Sequence, residues 1–381
     1  MAAGRGSATT TTRGTTASRS GGSPSTAAVR GNRGRGSRRP GRWTRLLRRA
    51  VVGVLVALLV LTAASVVGNA LTTPPETLDP DAGAYTQVDG AAVHYEHWAA
   101  PAGSTSAAAA PVVLLPGFAE STVAFRATAP LIAAQGREVY ALDLPGVGYT
   151  RGGDTENLRS QADLVADTIR SLGLRRPVVV GHSLGAAVAG GTALWHPELV
   201  GGVVFADGDA QDLHLGDGTW RARIARLPHT TSVYRIVTRW TWLDRSALAR
   251  SCGSACTAFD GEAGADLARA WLRPMTQGSM EHALLGSAGR SGILHLEPEQ
   301  TRAIAVPRAI IWGAEDERSG GSLQDTRDRL GHPAERIIPG AAHNVMNAQP
   351  QAFADAVVAL TDTFTRDPGS GCGGADCPAG R

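Results

Sequence analysis

The chain has 381 residues, 43% of them hydrophobic, and a formal charge of +3; that much apolar side chain is ample for a sizeable core and excludes a wholly disordered protein. The small net charge hides an asymmetry, because residues 1–49 hold twelve Arg and no acid, whereas the remainder carries 25 Arg against 34 Asp and Glu. An apolar run, and no nucleic-acid recognition motif, follows the basic tail, so the expected partner is a membrane and not a nucleic acid.

Residues 1–49 read as a disordered, Arg-rich cytoplasmic tail, since Gly, Ser, Thr, Arg and Pro offer too little apolar surface to offset the entropy of ordering. Residues 50–68 carry no charge, and as a helix they would cover about 28 Å, one hydrocarbon core. Arg45, Arg48 and Arg49 stand at the N-terminal end of this run and no cation stands near its other end, which predicts a single-pass signal anchor with the rest of the chain outside the cytoplasm. A cleavable signal peptide, cut after Ala70, is the alternative, although the run exceeds the usual h-region. Residues 69–84 then read as a linker.

From residue 85 onward, short β-rich runs alternate with longer helical patterns, the signature of a mostly parallel sheet flanked by helices. The pattern predicts a hairpin around Asp89-Gly90. Strands follow at 111–115, 139–142, 178–180, 203–205, 309–312 and 336–338, and helices at 123–134, 157–172, 184–195, 323–330 and 352–364. Residues 211–300 break the alternation; they are rich in Trp and Arg without a strand-like run, and predict a helical cap inserted between a first core part, 85–210, and a second, 301–365. Residues 366–381 read as a flexible, Cys-containing tail. The four cysteines form two local pairs, Cys252 with Cys256 and Cys372 with Cys377, and an even count in an exported domain suggests disulfides. Zinc is the weaker alternative, because no His lies close to either pair.

Gly181-His182-Ser183-Leu184-Gly185 fits G-x-S-x-G. With 47 Gly in the chain the pattern alone says little, but it stands between a buried strand and a small-residue helix that starts immediately after the serine. That context calls for a sharp turn, with glycines removing Cβ atoms that would collide, and with the hydroxyl presented at a helix N-terminus.

Here the sequence resembles the α/β-hydrolase family, over most of residues 85–365 and least in the cap. Leu114-Leu115-Pro116-Gly117-Phe118 stands where the family has a His-Gly pair, and Asp143-Leu144-Pro145-Gly146-Val147-Gly148 looks like its D-x-P-G-x-G loop. The resemblance implies Ser183 as nucleophile, Asp316 as the acid after one strand and His343 as the base after the next, in the order Ser, Asp, His. The backbone N–H groups of Phe118 and Leu184 would form the oxyanion hole, with Pro116 in place of His departing from the pattern. Glu315, Glu317, Asp207 and Asp209 are rivals for the acid, and His332 and His182 for the base. Ser at the elbow argues against the relatives that use a carboxylate nucleophile. The expected activity is hydrolysis of a small-molecule or lipid acyl ester, with no cofactor and no metal; an acyltransferase or perhydrolase would use the same residues, and a non-catalytic anchored binding protein is the reading from another class.

Overall fold

The computed structural model describes residues 41–103, 110–155, 157–208, 219–287, 294–317 and 322–366; most of the expected tail over 1–49, Asp209 and the Cys372/Cys377 pair lie outside the described residues. The chain divides into two units, Met1–Val56 and Ala57–Arg381. The described part of the first is helix, the beginning of α1 (Arg42–Leu71), whose apolar side chains from Val51 to Leu61 are exposed. It is long and apolar enough to cross a membrane. It extends beyond the 19 uncharged residues at both ends, because Arg and Leu in the preceding turn are good helix formers and nothing before Thr72 breaks the pattern.

In the second unit one eight-stranded sheet runs in the order β1-β2-β4-β3-β5-β6-β7-β8. Its strands are β1 (Ala84–Val88), β2 (Ala91–Trp98), β3 (Val112–Leu115), β4 (Val139–Leu142), β5 (Val178–His182), β6 (Gly202–Ala206), β7 (Arg308–Gly313) and β8 (Ala334–Ile338). The β1–β2 and β2–β4 pairs are antiparallel and all others parallel. The hairpin turns at Asp89 and Gly90, both with positive φ (44° and 77°), as the twist of a two-residue hairpin requires.

Helices α2 (Ala129–Ala134), α3 (Leu158–Ser171) and α4 (Leu184–Trp195) connect the early strands. The helix expected over 123–134 is broken into a 3₁₀ turn, Thr122–Phe125, and α2. Pro130 is the reason: it lacks the N–H a continuous helix would need, and it stands in the first turn of α2, where that N–H is not required. Asn157 caps α3, its side chain accepting from the Arg159 and Ser160 N–H groups. Between β6 and β7 stand α5 (Thr219–Ala225), α6 (Pro228–Val237), α7 (Thr241–Arg250), α8 (Gly261–Leu272), α9 (Gly278–Ser287) and α10 (Pro298–Arg302), with no strand among the described residues. The later helices are α11 (Leu323–Leu330), α12 (Val345–Ala348) and α13 (Pro350–Arg366).

Both sheet faces are covered, so the central strands are apolar throughout. Val112, Leu114, Val180 and Val204 point to one side, against Phe353, Val357 and Leu360 of α13. Val113, Leu115, Val179 and Val203 point to the other, against Ile169 of α3 and Val188 of α4. The period-2 alternation of each strand thus feeds two separate cores.

The segment read as a linker is tied down along its length. The Pro75 and Glu76 carbonyls accept from Gly278 and Ser279 at the start of α9, and Leu78 N–H donates to Gln277 Oε1 at 2.7 Å. The first N–H groups of a helix have no partner inside it, and this stretch of chain supplies two acceptors.

Candidate active site

After β3 the chain moves to β4 on one side, and then to β5 on the other side of β3. The two loops that leave the carboxyl ends of β3 and β5 therefore diverge, and such a switch point leaves an open crevice. Residues 116–120 form one rim and Ser183 the other.

Ser183 is the single residue between β5 and α4, and it adopts φ 51°, ψ −118°, a backbone conformation sparsely populated by non-glycine residues. Its N–H donates to the Ala206 carbonyl (2.9 Å) and its carbonyl accepts from Ala186 N–H (3.0 Å), so both neighbouring elements hold the strained turn. A Cβ on Gly181 would lie 2.2 Å from the Gly185 carbonyl oxygen, and one on Gly185 would lie 2.5 Å from those of Leu115 and Pro116. These are backbone atoms that cannot swing aside. Gly185→Ala is therefore expected to lower stability by about 3 kcal/mol, read as a fall in the urea midpoint with the m-value unchanged.

The loops after β7 and β8 bring Asp316 and His343 to the same place. His343 Nε2 is 3.0 Å from Ser183 Oγ, and His343 Nδ1 is 2.7 Å from Asp316 Oδ2. A carboxylate can only accept, so His343 Nδ1–H donates to Asp316, which leaves Nε2 as an acceptor facing the hydroxyl. Asp316 is buried, while Glu315 and Glu317 beside it are exposed; Glu315 turns away to accept from Ser254 N–H at 2.8 Å.

The other rivals are placed elsewhere. Asp207 Oδ1 accepts from Gly313 N–H at 2.7 Å, fastening β6 to the end of β7, and burial pushes its pKa well above the usual carboxylate range. His332 is exposed beside Asp328. His182 is fully buried with Nδ1 2.8 Å from Glu120 Oε2 and Nε2 2.7 Å from the His343 carbonyl oxygen.

This last pairing is absent from the sequence reading. Glu120, 6% exposed, also accepts from Gly117 N–H at 2.7 Å, and so holds the loop in which Pro116 stands in place of the family's His. Burial alone would favour neutral forms of both side chains, but their mutual attraction outweighs it: the Glu120 carboxyl is held below its ordinary range and the His182 imidazole is pushed up to about 9. With Gly117 N–H engaged, the next donor on this rim is Phe118. On the opposite rim Leu184, first residue of α4, has no helical acceptor for its N–H.

A second support reaches His343 from the insertion. Ser251 and Cys252 carbonyls accept from Asn344 and Ala342 N–H groups, and Ala255 N–H donates to the Gly340 carbonyl. Cys252 and Cys256, whose sulfurs are bonded to each other, close the loop that makes these contacts. Replacing both with Ser is expected to lower kcat more than it changes KM, by up to about 100-fold, the effect of misplacing one reacting group by an ångström; steady-state kinetics on a soluble ester measures it.

The sequence profile of the alpha/beta hydrolase family matches residues 112–356. The chain is 28% identical over 237 residues to the uncharacterised hydrolase YugF of Bacillus subtilis, spanning 60% of this chain and 79% of that one. It is also 28% identical to the pimeloyl-[acyl-carrier protein] methyl ester esterase of Edwardsiella ictaluri, over 66% of this chain and 93% of that one. Among solved structures, a bacterial membrane phospholipase A superimposes with a TM-score of 0.57 at 20% identity, over 85% of this chain and 97% of that one, a likeness of fold.

Proposed function

The chain belongs to the alpha/beta hydrolase family, and from that premise we propose that it is a serine hydrolase that cleaves an ester through an acyl-enzyme intermediate, with Ser183 as nucleophile, His343 as general base and acid, and Asp316 as the residue that orients His343. The observation that carries this reading is the continuous relay from Ser183 Oγ through His343 to the buried Asp316 carboxylate.

The chemistry follows from the geometry. A neutral hydroxyl attacks a carbonyl only if its proton leaves as the bond forms, and Nε2 of His343 stands 3.0 Å away to take it. The imidazolium so formed faces Asp316, which stabilises it without itself being protonated. Negative charge on the former carbonyl oxygen is met by the Phe118 and Leu184 N–H groups and by the N-terminal end of the α4 dipole. His343 then protonates the departing alcohol, and water, activated by the same imidazole, releases the acid. Every step is served by side chains and backbone of this chain; no cofactor enters.

α1, with its arginines at one end, acts in this reading as a membrane anchor through residues 50–68, and the hydrolase domain lies outside the cytoplasm. The Cys252–Cys256 disulfide suits that compartment. Helices α5 to α10, described between β6 and β7, form the cap, and the substrate class is an apolar acyl ester or a lipid.

A fluorophosphonate probe tests the assignment directly. Folded, full-length protein should become labelled at Ser183, located by peptide mass spectrometry, and labelling should vanish in Ser183→Ala and weaken greatly in His343→Ala. Intact protein that stays unlabelled would instead support a binding protein on a hydrolase scaffold.

A further inference from the structure

Outside α1, the described residues expose eight large apolar side chains, and six of them fall within 21 residues of sequence: Trp220, Ile224, Leu227, Val233, Ile236 and Trp240. The other two are Phe118, in the loop after β3, and Ile337. Trp220 and Ile224 stand at i, i+4 on α5, and Val233 and Ile236 at i, i+3 on α6, the spacing of a helix face that is ordinarily turned inward, while Leu227 caps the start of α6 and Trp240 the start of α7. Here that face is turned outward, with Trp220 59% and Trp240 56% exposed.

The charge around the stripe is one-sided. Residues 219–250 contain seven Arg and a single acid, Asp244, and Arg223, Arg226 and Arg239 are exposed between the apolar positions. A second copy of the chain could cover the stripe only by bringing two such arginine-rich surfaces together, because a symmetric dimer apposes identical patches. An anionic bilayer satisfies both features at once: acyl chains for the apolar side chains and phosphates for the arginines.

The position of α6 argues for the same partner. It packs along the last turns of α1: His229 Nε2 is 3.2 Å from Thr62 Oγ1, Asn69 Nδ2 donates to the Pro228 carbonyl at 2.8 Å, and Arg235 Nη1 donates to the Asn69 carbonyl at 2.6 Å. Thr62 precedes Gly68 by six residues, about 9 Å along a helix. If residues 50–68 span a bilayer, the start of α6 is held at the depth reached by helices that lie in the headgroup boundary, roughly 5–10 Å.

We propose that the α5–α6 face is a bilayer-docking surface, with its six apolar side chains in the acyl boundary of an anionic membrane and Arg223, Arg226 and Arg239 against headgroup phosphates. This rests on the reading of α1 as an anchor. It does not depend on the catalytic assignment.

The test uses full-length protein, in a Trp43→Phe background, reconstituted in vesicles containing phosphatidylglycerol and lipids brominated on their acyl chains. Flotation with the vesicles reports the anchor, and quenching of tryptophan emission reports which rings touch acyl chains. Quenching should be strong, and most of it should disappear when Trp220→Phe and Trp240→Phe are added, with the urea midpoint preserved as evidence of folding. Protein that floats but is quenched equally with and without those two rings would overturn the proposal and leave the anchor standing. Absence of quenching together with a cross-linked dimer would assign the face to a second copy and overturn it as well. Protein that fails to float would remove the anchor, and the proposal with it.

Discussion

Ser183→Ala and His343→Ala are each expected to lower kcat on p-nitrophenyl esters by about 10⁶-fold, and Asp316→Asn by about 10⁴-fold, with folding intact. The inequality follows from the geometry. Without the hydroxyl there is no nucleophile, and without the imidazole its proton has nowhere to go. Without a carboxylate at 2.7 Å from Nδ1 the ring is present but free to hold the wrong tautomer. Double variants should be no worse than the worse single one, because the three side chains serve one proton path. Asp207→Asn sharpens the result: its carboxyl faces Gly313 N–H, so this change should leave most of the turnover in place. Asp207→Asn that abolished turnover while Asp316→Asn spared it would transfer the role of acid to Asp207. Turnover untouched by Ser183→Ala would sink the mechanism altogether.

Glu120→Gln is expected to destabilise the protein by about 3 kcal/mol near pH 6, the order of magnitude of a buried imidazolium that has lost its counter-charge. The sign with pH follows from the histidine. Its folded pKa, about 9, lies above its ordinary 6.5, so the stabilisation is fully present below about pH 6.5 and is lost as pH rises through 9. The wild type should therefore lose stability across that window by more than Glu120→Gln does, and the two curves should converge above pH 9. Urea midpoints collected from pH 6 to 9.5 measure both slopes, and taking the difference cancels groups common to the two proteins, including His94, which Asp143 also holds above its ordinary value despite burial. Parallel curves would mean that the pair is neutral in the folded protein.

Much of the architecture is legible in the sequence because a parallel sheet with both faces covered writes itself as short apolar runs separated by amphipathic helices. The hairpin at Asp89-Gly90, the strand before Ser183 and the helix after it all follow from local chemistry. Asp316 and His343 could be named before any distance between them was known only through the family resemblance, which implies an acid after one strand and a histidine after the next. Glu120 could not be named. In the sequence it is one loop carboxylate among 34 acids, and what makes it matter is burial against an imidazole 62 residues away. The role of residues 75–78 was hidden for the same reason: a Pro-rich stretch after a helix reads as slack chain, and only the folded arrangement shows that its carbonyls complete α9. The break before α2 is marked in the sequence by Pro130, but the apolar spacing runs across it and predicts one continuous helix.

Glu120 grips the amide of Gly117 on one loop, and its partner His182 grips the carbonyl of His343 on another, so the two halves of the crevice share a joint. A substitution that shifts either loop must be matched at the other before it is tolerated, and the pair can be exchanged only together. Lineages descended from this chain should therefore keep both side chains or lose both, and an engineer who reshapes one rim of the crevice to admit a new substrate will find the other rim moving with it.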